Sequence, residues 1–121
     1  MLTPDFNFAL RFLKLPPWAK FALARKWEAG AREHAGGDGD LTIAGFSPVR
    51  AQAAEALDII NYYLAVIAEF IPRDPHMTEP AWGIMLDKLE QNARDAAIIL
   101  KRCGEKAAHA AATEALNRAS V

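Results

Sequence analysis

Two long stretches of this chain, 48–71 and 79–103, carry apolar residues at a spacing that only a helix can gather onto one side. In the second, Trp82, Leu86, Leu89, Ala93, Ala96, Leu100 and Cys103 recur at alternating steps of four and three, which draws one seam along a helix. The first has a wider face. Leu57, Ile60, Leu64, Ile67 and Ile71 form one seam, Ile59, Tyr63, Val66 and Phe70 a second beside it, and Glu55, Asp58, Tyr62 and Glu69 lie opposite. So broad an apolar arc belongs to a central helix touching two or more neighbours. Ser47 before Pro48 and Thr78 before Pro80 offer capping hydroxyls next to prolines that a first turn tolerates. Pro72 and Pro75 cannot continue either helix, so the two stretches are expected to form an antiparallel hairpin.

The flanking regions add shorter helices. Thr3, Pro4 and Asp5 read as a start for a helix over 6–15, and although Phe6, Phe8, Leu10 and Phe12 alternate like a strand, Asn7, Arg11 and Lys14 gather on one helical side. Pro16 and Pro17 break the chain, and Pro17 opens a second helix to about residue 35 with a core face of Leu23, Ala24, Trp27, Ala31 and His34. The glycine-rich stretch 36–46 reads as a helix stop, a turn and a short extended piece held by Leu41, Ile43 and Phe46. Beyond Gly104 the alanine-rich tail, 106–121, either extends the fourth helix or forms a separate frayed one. The expected architecture is all-α: a four- to five-helix bundle with a central long helical hairpin, one domain over 1–121.

Composition narrows the classes. Fifty-two per cent hydrophobic and 24% charged residues are ordinary for a globular chain, and a net charge of −1 gives no overall pull toward nucleic acid or an anionic membrane. No stretch approaches the ~18 apolar residues of a membrane span, and a single cysteine forms no intramolecular disulfide; a cytoplasmic protein is expected. Cys103, on the apolar seam, reads as a small buried hydrophobe. Heavy alanine use, with 8 arginines to 6 lysines, suggests a bacterial or phage origin.

Tests for chemistry fail in turn. From Asp38, the sixth position of a calcium loop is Ile43 where glycine is needed and the twelfth is Val49 where a glutamate is needed. The glycines lack the lysine and hydroxyl of a phosphate loop. His34, His76 and His109 are scattered, and none makes the Glu-x-x-His pair of di-iron bundles: His34 reads as a core histidine, His76 as part of a loop, His109 as surface. No serine or cysteine has a base nearby in sequence. Residues 44–48, with Arg50 and Gln52 after them, resemble the turn of a helix-turn-helix, but the helix before it has barely one turn of room, and Glu55 and Asp58 would face phosphates. No catalytic residue, cofactor or metal is therefore expected.

A stripe on the second helix, Trp18, Ala22, Arg25, Ala29 and Arg32, lies away from the expected Leu23/Trp27 core face and has the composition of a protein-contact patch. Trp18, Arg25 and Arg32 are the contact candidates. Phe8, Phe12, Tyr63 and Phe70 are either core or the surface of a homodimer. The expected function is that of a non-enzymatic protein-binding accessory factor (a regulator, inhibitor or adaptor) acting on another protein, with no membrane partner. A DNA-associated transcriptional regulator is the alternative and a small enzyme the third reading.

Overall fold

The computed structural model describes residues 3–36, 48–70 and 80–120, with the side chains of 33–36, 70 and 81 left aside. The described residues form helices and no strand: α1 (Phe6–Phe12), α2 (Ala19–Gly36), α3 (Pro48–Ala65) running on into a π-helical turn (Val66–Phe70), α4 (Pro80–Cys103) and α5 (Glu105–Ala119). Ser47, Thr78, Ile71, His76, Pro72, Pro75 and the 37–46 stretch, Asp38 and Asp40 included, lie outside them. So does the connector of the expected hairpin.

Local chemistry sets the element ends. The Asp5 carboxylate caps α1, accepting from the amides of Asn7 and Phe8 at 3.0 and 3.1 Å. The helix stops at Phe12, short of the expected residue 15, because Lys14 takes a left-handed conformation with φ 55. The amides of Leu15 and Lys14 then donate back to the carbonyls of Leu10 and Arg11, which satisfies the last turn and turns Leu13 and Leu15 both into the core. Gly104, with φ 90, breaks the α4 ladder in the same way, and its carbonyl accepts the Ala108 amide that opens α5. The tail is thus a separate helix. It is packed rather than frayed, for Ala108, Ala111, Ala112 and Ala115 are buried.

The core runs from Leu13 and Leu15 through Leu23, Leu57, Ile60, Leu64 and Leu100, with alanines filling the closer approaches. Side-chain pairs fix the helix directions. Lys26 meets Asp58 at 3.2 Å and the Asn61 amide donates to the Leu23 carbonyl at 2.9 Å, so α2 and α3 run antiparallel. Arg25 reaches Thr113 and Arg32 reaches Ser120, so α2 and α5 run parallel. α3 packs against α2, α4 and α5, the central place its broad face implies.

Several faces differ from expectation. On α2, Ala31 is exposed while Ala19, Ala22 and Ala29 are buried, because α5 lies along the alanine side. On α3, Ile59 is 39% exposed although Tyr63 and Val66 are buried. On α4 the seam is buried at Ala93, Ala96 and Leu100, and the packed core ends at Leu89: Leu86 is half-buried and Trp82 is 41% exposed. Cys103 is half-buried against the core rather than enclosed, and burial pushes its thiol above the ordinary range.

Candidate protein-contact surface

The three contact candidates, Trp18 just before α2 and Arg25 and Arg32 within it, each reach a residue of α5 or its C-cap. The Trp18 indole packs half-buried on the core and tilts against the His109 ring at 6.4 Å, which takes His109 from plain surface into a helix seam. The Arg25 guanidinium donates to the Thr113 hydroxyl at 3.4 Å. Arg32 donates to the Ser120 hydroxyl and pairs with Glu28 at 2.6 Å. Ala22 and Ala29 between them are buried at 0 and 1% exposure. The alanines of the stripe therefore lie on the core side, where α2 receives α5, while Arg25 and Arg32 stay exposed along the edge of that seam. The sequence reading missed this because it left the tail without a packed position.

The aromatic candidates also find internal partners. Phe8 stacks on Phe12 at 5.2 Å and Phe12 on Tyr63 at 6.2 Å, tying α1 to α3. The Arg94 guanidinium of α4 sits 4.3 Å from the centre of the Phe12 ring. Burial and the neighbouring Glu90 carboxylate raise the Tyr63 hydroxyl above its ordinary value, against the opposing pull of Arg94. The Phe70 side chain lies outside the described residues.

Around the C-terminal half of α5, arginines arrive from three helices. Arg50, in the first turn of α3, pairs with Glu114 at 2.8 Å, and Arg118 lies one turn further on. With Ala110, Thr113 and Asn117 they line an open groove of about 510 Å³. Because Arg50 is engaged here and Leu57 and Ile60 of the same helix are buried, α3 does not present the free reading face of a helix-turn-helix.

Exposed apolar residues gather most densely on α4, apart from Phe21 on α2 and Val49, Ile59 and Tyr62 on α3. Trp82, Ile84, Met85, Ile98 and Ile99 are among the exposed large apolar residues, Ile84 at 67% and Ile98 at 51%. At 100° per residue, Ile84, Lys88, Gln91, Asp95 and Ile98 fall on one stripe opposite the buried Ala93/Leu100 seam. Gln91 donates to Asp95 at 3.0 Å, and neither Lys88 nor Asp95 has an ion-pair partner among the described residues. The signal was present in the sequence as apolar residues off the main seam. A period that follows one seam does not single them out.

Among the described residues no three histidine, cysteine, aspartate or glutamate side chains cluster as metal ligands, and no helix is long and apolar enough to cross a membrane. Compared with protein-family models, curated proteins and solved structures, the chain matches none of them.

Proposed function

We propose that the chain is a non-enzymatic protein-binding accessory factor whose contact helix is α4. The observation that supports this is the outward stripe, where two exposed isoleucines flank three polar residues on a helix whose opposite side is packed on the core from Leu89 onward. Apolar anchors in a polar surround are what a protein contact requires, since their removal from water supplies affinity and the polar groups supply register. Placing a photo-crosslinking residue at Ile84 or Ile98, in cells that encode the chain, is expected to give a discrete protein adduct that the same residue at Glu55 does not. Absence of any adduct from α4 would remove the reading.

The arginines around α5 support a second reading, a DNA-associated regulator. Arg25→Glu then weakens duplex binding and makes its salt dependence shallower. Duplex affinity that is unchanged in Arg25→Glu, or absent at low salt, removes it.

A further inference from the structure

The outward stripe of α4 is nearly symmetric about Gln91. Ile84 lies seven residues before it and Ile98 seven after, two heptads that keep all three on one side of the helix. Between them stand one cation and one anion, Lys88 before the centre and Asp95 after it. A stripe that reads apolar, cation, glutamine, anion, apolar is complementary to itself when turned end for end.

From this symmetry we infer that α4 docks antiparallel onto α4 of a second copy of this chain, with Gln91 on the two-fold axis. The inference rests on α4 being a protein-contact helix, and adds the identity of the occupant. In the antiparallel pair Ile84 of one copy meets Ile98 of the other at both ends, and Lys88, three residues before the axis, stands within one residue of facing Asp95, four after it, an offset the lysine side chain spans. Met85 and Ile99, exposed at 37% and 42%, lie on the same flank and meet across it in the same sense. The parallel arrangement is disfavoured by charge, because it sets Lys88 on Lys88 and Asp95 on Asp95.

The size of the contact bounds its strength. One helix pair of this length falls at the low end of specific interfaces, under about 1,200 Å² in total, in the class of weak associations. Four apolar residues per copy drive it, and the two cross-axis ion pairs, between side chains that water solvates in the free chain, each contribute a factor of roughly two to five.

Sedimentation equilibrium over a micromolar to millimolar series tests this directly. The intact chain is expected to dimerise, Lys88→Asp to shift the dissociation constant upward by about tenfold through two like-charge contacts, and Lys88→Asp with Asp95→Lys to restore it. Ile84→Asp is expected to leave only monomer with an unchanged helical spectrum. In a Cys103→Ser background, Gln91→Cys is expected to form a disulfide-linked dimer, while Glu55→Cys is not. A monomer at millimolar concentration overturns the proposal, as does a dimer that Lys88→Asp leaves intact or that the double exchange does not rescue. Where the chain stays monomeric yet a crosslinker at Ile84 captures a different protein, the self-docking falls and the contact-helix reading stands.

Discussion

The two most extensive helix contacts of this molecule are built from opposite materials. Where α2 meets α5, the buried side chains of the two helices are alanines apart from Leu23: Ala19, Ala22 and Ala29 on α2, Ala108, Ala111, Ala112 and Ala115 on α5. Where α3 meets α4, Ile60, Leu64 and Leu100 supply the bulk and alanines fill around them. Small seams let backbones approach closely and remove little apolar area from water per residue; large seams do the reverse. The α2–α5 contact is therefore specified by fit and by its polar edges, Arg25 with Thr113 and Arg32 with Ser120, and the α3–α4 contact by hydrophobic burial.

The largest expected effect lies on the burial side. Ile60→Ala, at a fully buried position, should lower the unfolding free energy by about 2–5 kcal/mol in a denaturant titration, because it loses both transfer energy and packing. A loss under about 1 kcal/mol would mean that α3 does not hold the centre. On the fit side the sensitivity reverses: Ala112→Leu should cost about 1–3 kcal/mol by forcing α5 away from α2, although it adds apolar surface. A stabilised Ala112→Leu would show that the alanine seam has room to spare, and the contrast between the two contacts would collapse.

The smallest expected effect separates the pairs by titration. Tyr63 belongs to the burial side, and its hydroxyl titrates higher in the folded chain than in the unfolded one, first because of burial and second because of Glu90. The native state then holds this proton more tightly, so the stability it contributes is complete below the ordinary tyrosine value near 10 and declines as pH rises above it. Melting temperatures of the intact chain and Tyr63→Phe, followed from neutral pH to about pH 11, should converge toward the alkaline end if the intact chain starts higher, or cross if it starts level. Parallel curves would place the ring in water.

The same contrast explains what could be read in advance. Large residues at helical spacing announce a seam, so Leu57, Ile60, Leu64, Ala93, Ala96 and Leu100 were legible as core and the all-helical fold with them. Alanine announces nothing, being equally at home in a core, on a surface or in a fraying tail. That is why residues 105–119 had no assigned place, and why the stripe of Trp18, Arg25 and Arg32 gave no sign of α5, the helix that lies beside it. The π-helical turn over Val66–Phe70 had no sequence signal that periodicity could resolve, since one widened turn only shifts the register at a helix end. The left-handed Lys14 was hidden for a related reason: the position suits glycine, and lysine is held there by Leu13 and Leu15 on either side.

The hydrogen bonds from Arg25 to Thr113 and from Arg32 to Ser120 each join residues 88 positions apart. During synthesis α2 thus leaves the ribosome long before its partner helix exists, and it waits with its alanines and Trp18 turned to water. At about 5–20 residues per second that interval lasts several seconds, far longer than the microsecond a helix needs to form. An alanine face suits such a wait, because it offers little for another nascent chain to adhere to, where a leucine seam of the same length would invite aggregation.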